Sequence, residues 1–334
     1  MSSSVAVLLN AQARKVTRQV VDRITRALPS DSVYVSSDLD EAEVMTNDIM
    51  SRRFQTVLTG GGDGTLVRFL KHSLDYVDRH GTLRDYPLIG VLKLGTGNGI
   101  SSFVGAGPYL RDLAIMTRSG RSKHCRRLSL IEVEGAYCPF AGFGLDAMIL
   151  NDYSSHKESW AARRLKYAFT VPTISIPKQL TVRRRYPVGR IINEGRAAYL
   201  IDPHGRPVGS PIETGQTIYH GPVLIAGVAT MPYYGYGMKL YPFVERCSGV
   251  MQLRISWAGT AEALARLPDI WKGTYRSATI QDYYCDRVRM VFDHPTPFQI
   301  GGDGVGVRED VTFSVSHHTV DLIDLTGPRD RTSN

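Results

Sequence analysis

The chain has 334 residues, 43% hydrophobic and 22% charged, a balance that reads as a soluble globular protein and excludes general disorder. That length suits two domains better than a single core. A formal net charge of +8 favours an anionic partner without choosing among nucleotide, nucleic acid and acidic lipid surface.

In chain order, the apolar run at 5–9 reads as a first strand, being too short for a signal-peptide core and lacking a basic flank. Val16, Val20, Ile24 and Leu28 then recur on one side of a helix, and 33–35 reads as a second strand. A helix over 42–50 leads to a strand over 54–59, a glycine-rich turn, and a helix carrying Leu66, Leu70 and Leu74. Residues 87–92 form the next strand, followed by a second glycine-rich turn. This alternation predicts a mostly parallel sheet covered by helices on both faces.

From about residue 131 the pattern changes to short β-type runs at 223–225, 250–255, 288–292 and 311–313, punctuated by Gly and Pro. The expected fold is therefore α/β plus all-β: a doubly wound α/β nucleotide domain over 1–130, then an antiparallel β-sandwich acceptor domain over 131–315. Residues 316–330 are expected to pack back on the first domain. Cys125, Cys138, Cys247 and Cys285 form no CxxC pair, which argues against a zinc site or disulfide framework and fits a reduced, cytoplasmic setting. No stretch approaches the roughly 20 apolar residues that cross a bilayer, so membrane contact is expected to be peripheral.

The chemistry concentrates in Thr59-Gly60-Gly61-Gly62-Asp63-Gly64-Thr65, set between a strand and a helix. Glycines there let main-chain N–H groups approach phosphate oxygens, and the helix adds its positive N-terminal end. A carboxylate at Asp63 would repel phosphate unless a cation or a positioned donor intervenes, and Mg²⁺ is the simplest cation.

These residues resemble the superfamily of diacylglycerol, sphingosine and ceramide kinases, bacterial lipid kinases and, more distantly, NAD kinases. The shared loop is Gly61-Gly62-Asp63-Gly64-Thr65, and the second turn, Gly95-Thr96-Gly97-Asn98 after the 87–92 strand, is similar to the GTxN turn of the lipid kinases. Asn10 matches the Asn of that family's first turn, Gly142 to Ala147 its GxGxDA segment, and Gly301-Gly302-Asp303-Gly304 its late DGE motif. The resemblance implies a diacylglycerol kinase-like lipid kinase that moves the γ-phosphate of ATP to a lipid hydroxyl. ATP and Mg²⁺ are the implied cofactors. The implied nucleotide-contacting set is Asn10, Gly60, Gly61, Gly62, Asp63, Gly64, Thr65, Gly95, Thr96, Gly97 and Asn98. Asp63 organises nucleotide and metal, and Asp303 is the candidate base at the acceptor hydroxyl.

The Pro and Gly usual after Asn10 are absent, Gly99 and Val305 stand where acidic residues are usual, and Ser129 precedes the GxGxDA segment at a commonly acidic position. NAD phosphorylation and a catalytically weak nucleotide or lipid sensor are the alternatives. The basic stretches 160–169 and 183–185 are candidate contacts for a transient encounter with acidic headgroups. No nucleic-acid module is present in the sequence, and a homodimer is left open.

Overall fold

The computed structural model describes residues 5–81, 86–117, 124–144, 147 and 186–326. Two compact units emerge. One comprises Met1–Ser129, Tyr233–Gly237 and His318–Asn334, the other Leu130–Pro232 and Met238–His317. The basic stretches 160–169 and 183–185, and Asp146, lie outside the described residues.

The first unit is built on β1 (Val5–Asn10), β2 (Val33–Ser36), β3 (Thr56–Gly61) and β4 (Leu88–Lys93). They pair in parallel in the order β2-β1-β3-β4. Between them run α1 (Arg18–Ala27), α2 (Leu39–Ser51) and α3 (Asp63–His80), and after β4 come α4 (Gly99–Phe103) and α5 (Tyr109–Met116). Each long helix has a sequence-encoded stop or start. Thr17 caps α1 through Val20 N–H, Asp38 caps α2 through Glu41 N–H, and Gly81, at φ 74°, ends α3.

Alternation along the strands divides the sheet into two faces. Val5, Val7, Leu9, Leu58 and Leu92 cluster with Ile24 of α1 and Leu113 and Met116 of α5. On the opposite face α2 and α3 pack on each other and reach Leu8. The run of buried apolar residues in β1 and β3 follows from this two-sided cover, since a strand between helix layers has no wet face.

The second unit is antiparallel. Its described strands include β5 (Cys125–Val133), which begins in the first unit and enters the second at Leu130, β6 (Ala136–Cys138), β7 (Phe140–Gly144), β8 (Val188–Asn193), β9 (Ala198–Ile201), β10 (Pro207–Ile212), β11 (Thr217–Pro222) and β12 (Ile225–Ala229). Then follow β13 (Met251–Ser256), α6 (Thr260–Ala265), α7 (Leu267–Lys272), β14 (Ile280–Cys285), β15 (Arg287–Ile300) and β16 (Asp303–Ile323). One layer runs β10-β9-β14-β13-β12-β7 to the distal part of β15, and a second joins β11 and β8 to its proximal part. A register shift between Val291 and Thr296 lets β15 serve both layers. Phe143 fills the space they enclose, its ring 4.5 Å from that of Phe292 and 4.8 Å from that of Phe298.

The fold class anticipated from the residue pattern, an α/β portion followed by an antiparallel β portion, is the one found. The end of β16 also runs parallel to β4 through Leu322 and Ile89. α4 and α5 were not foreseen, because five and eight residues carry little periodic signal.

Candidate active site

Because β3 and β4 are parallel neighbours, with Gly60 opposite Leu92 and Gly61 opposite Lys93, both glycine turns leave the sheet at the same edge. That is where open α/β sheets place their ligands. The turns touch through their backbones. A methyl group at Gly95 would lie 2.2 Å from the Gly62 Cα and 2.7 Å from the Gly61 carbonyl oxygen, so no larger residue fits.

Asp63 is the tie between them. Its Oδ2 accepts the Gly99 N–H at 2.7 Å and its Oδ1 the Ile100 N–H at 3.0 Å. The carboxylate thus satisfies amides at the start of α4, where the short helix has no partners of its own for them. Asn98 closes the second turn from inside. It sits in the left-handed region at φ 52°, accepts the Gly95 N–H at 3.1 Å and donates to the Gly95 carbonyl at 2.8 Å. Asn is among the few residues that tolerate this backbone.

Gly99, the position without its usual carboxylate, has a steric reason here. A Cβ at 99 would stand 2.4 Å from the Tyr234 carbonyl oxygen, and the neighbouring Tyr236 N–H donates to the Gly97 carbonyl at 2.6 Å. The 233–237 segment belongs to the same unit as the glycine turns. In the sequence this segment is only part of the Gly and Pro punctuation of the second half.

The remaining glycines divide by task. A Cβ at Gly60 would collide with Leu9 Cδ2 at 2.4 Å, so this glycine yields space to the α1/α5 core. One at Gly61 would meet Thr65 Oγ1 at 2.2 Å, so Gly61 makes room for the threonine. At Gly62 the nearest atom is the Gly95 Cα, 3.8 Å away, and the backbone is extended, leaving this the one position of the three where the missing side chain opens space. Gly64 lies in the first turn of α3, whose N-cap Gly62 supplies no side-chain cap. The positive end of this 18-residue helix therefore faces the turns without an internal side-chain partner.

Asn10 ends β1 beside Thr65, its Nδ2 3.4 Å from Thr65 Oγ1, while its Oδ1 accepts the Gln12 N–H at 2.9 Å. Next to this pair lies a hollow of about 330 Å³ on the α2/α3 face, lined by Asn10, Ser36, Ser37, Thr65, Arg68 and Phe69 among others. Ser37 and Arg68 were not singled out from the sequence, since a lone Ser after a strand and a lone Arg on a helix carry no distinguishing pattern. Thr96 lies between Gly95 and Gly97 in the second turn. Asp303, in the second unit, is exposed at the mouth of the β15–β16 turn, paired with Ile300 across Gly301 and Gly302. Both glycines there have positive φ, and Gln299 Oε1 accepts the Gly302 N–H at 2.9 Å.

Among the described residues, no group of three His, Cys, Asp or Glu side chains gathers around Asp63. The described residues build no all-protein cage there, and Asp63 is the carboxylate that could hold a divalent ion. No described helix is long and apolar enough to cross a membrane.

Residues 4–133 match the family model of the diacylglycerol kinase catalytic domain. A crystal structure of a diacylglycerol kinase from Bacillus anthracis strain Sterne superposes with a TM-score of 0.63 at 14% identity, covering 98% of each chain. A candidate diacylglycerol kinase from the same strain gives a TM-score of 0.64 at 15% identity, again over 98% of each chain. No curated protein matches the sequence. At these identities the structural likeness speaks for the fold, while the catalytic-domain match falls on the residues that make the two turns. Over residues 4–133, and not over the chain as a whole, the sequence is similar to the diacylglycerol kinase catalytic domain.

Proposed function

We propose that the protein is an ATP-dependent lipid kinase that phosphorylates a hydroxyl of a lipid acceptor such as diacylglycerol, ceramide or a sphingoid base. The observation that carries this reading is the backbone contact between the two glycine turns, tied by Asp63 to Gly99 and Ile100 at the carboxyl edge of a parallel sheet. Gly62 and the open end of α3 supply the amides for phosphate oxygens, and the hollow beside Thr65 and Arg68 accommodates the rest of the nucleotide. Asp63 is the carboxylate that would hold a Mg²⁺ ion, which would supply neutralisation of the charge developing on the phosphates. Asp303 takes the proton of the acceptor hydroxyl as its oxygen bonds to phosphorus, and the bond from phosphorus to the ADP oxygen breaks. A lipid acceptor would bring the enzyme into transient contact with a membrane surface.

The test is purified protein with labelled ATP, Mg²⁺ and a panel of lipids in mixed micelles, alongside soluble NAD as acceptor. A phosphorylated lipid that disappears in both Asp63→Asn and Asp303→Asn supports the assignment. Label on NAD instead of lipid, or turnover indifferent to Asp303→Asn, overturns it.

A further inference from the structure

We propose a second anion site, on the α1/α5 face of the first unit, in which Lys15 and Lys93 grip the phosphate group of a small phosphate ester. A hollow of about 530 Å³ lies there, lined by Lys15, Val20, Lys93, Leu94, Pro108 and Tyr109. The Lys15 N–H donates to the Leu94 carbonyl at 3.3 Å, which anchors the two lysines at one rim. Both side chains are exposed, and neither has an ion-pair or hydrogen-bond partner among the described residues. Two cationic side chains lining one hollow attract an anion to it.

Two further features converge on the same space. Among the described residues the buried Tyr109 hydroxyl has no hydrogen-bond partner, which native structures rarely tolerate unless a ligand or water completes it. Tyr109 also opens α5, whose N-cap Pro108 contributes no side-chain hydrogen bond, so no N-cap side chain serves the amides of the first turn. The nearby carboxylate of Asp112 is turned to its own loop: Oδ2 accepts the Gly107 N–H at 2.6 Å, and Oδ1 lies 3.3 Å from Arg111 Nε with no hydrogen-bond partner among the described residues. Val20, Leu94 and Pro108 add apolar walls that suit the carbon body of an ester better than bare phosphate.

This hollow is separate from the one beside Asn10 and Thr65. The two share no lining residue, and Val20, Leu94 and Tyr109 pack with the apolar cluster of the α1/α5 face. The proposal therefore stands independently of the kinase reading. Its ligand chemistry, a phosphate monoester, has two sources: a soluble ester or the headgroup of an anionic lipid.

Lysine footprinting on the full chain tests it. The protein is acetylated briefly and read by mass spectrometry with glycerol 3-phosphate, with chloride at matched ionic strength, and with phosphatidylcholine vesicles with or without phosphatidic acid. Lys15 and Lys93 are expected to be protected by about fivefold or more by a phosphate ester, with exposed Lys71 unchanged. Protection by glycerol 3-phosphate assigns a soluble ligand, and protection only by phosphatidic acid vesicles assigns a headgroup. Lys15→Gln/Lys93→Gln is expected to lose the binding, and Tyr109→Phe to weaken it without loss of thermal stability. Absence of protection in every arm, equal protection of Lys71, or unchanged affinity in the double variant overturns the site.

Discussion

Gly62 and Gly95 are in contact through main-chain atoms, with the space for any side chain at 95 taken by the Gly62 Cα and N. Gly62, by contrast, has room for a methyl group on its open side, at φ −94° and ψ −176°. The two glycines therefore predict opposite phenotypes. Gly95→Ala forces the turns apart and is expected to cost about 3 kcal/mol of stability or more, read from urea unfolding. Gly62→Ala is expected to stay within about 0.5 kcal/mol of the parent while weakening ATP binding by about tenfold. Equal nucleotide affinity in Gly62→Ala and parent would place the phosphates elsewhere.

Asp63→Asn removes a charged acceptor from Gly99 N–H and Ile100 N–H and turns an amide NH₂ toward one of them. A loss of about 2 kcal/mol is expected, from the worth of hydrogen bonds to a charged group. Hydrogen exchange should localise the change to the start of α4 and the 95–98 turn. A variant with unchanged exchange there would show that the carboxylate does not hold the second turn.

In the second unit, Arg254 and Asp282 form a bidentate pair at 2.8 and 2.9 Å, 4% and 6% exposed, with Gln252 Nε2 donating to the same carboxylate at 2.7 Å. Asp282→Ala strands a buried guanidinium and is expected to cost about 3–5 kcal/mol. Arg254→Met with Asp282→Leu removes both charges and should recover most of that loss. The check is the urea midpoint of each variant. Equal destabilisation by the single and the double change would argue for packing rather than charge.

His72 predicts a pH dependence. Burial pushes its pKa below the usual imidazole value, opposed by Glu43, whose carboxylate lies 3.7 Å from Nδ1. With the folded pKa lower than the unfolded one, the unfolded chain binds the proton more readily. Stability from this group is present above about pH 6.5 and is lost as pH falls from there through the folded pKa. Unfolding free energy measured between about pH 7 and pH 5 should show a decline that is shallower in His72→Gln. An identical slope in the variant would remove His72 as its source.

The residue pattern alone determined the division into an α/β portion and an antiparallel portion, because apolar spacing and glycine placement are local properties of the chain. It also singled out Asp63, Asn98 and the glycines of both turns, since strand, turn and helix follow one another there within a few residues. Tertiary structure decided what each does. Gly60 serves the core through Leu9, Gly61 makes room for Thr65, Gly95 permits the contact between turns, and Gly99 yields to the Tyr234 carbonyl. None of this is legible from sequence, because the partners come from β1, α3 and the 233–237 segment, and which backbone meets which is set by how strands pair and helices cover them. The same holds for Lys15 and Lys93, which become neighbours only when the chain after β1 is fastened to Leu94 at the end of β4. A motif names residue types whose chemistry is intrinsic, whereas close approach between distant segments is a consequence of folding the whole sheet.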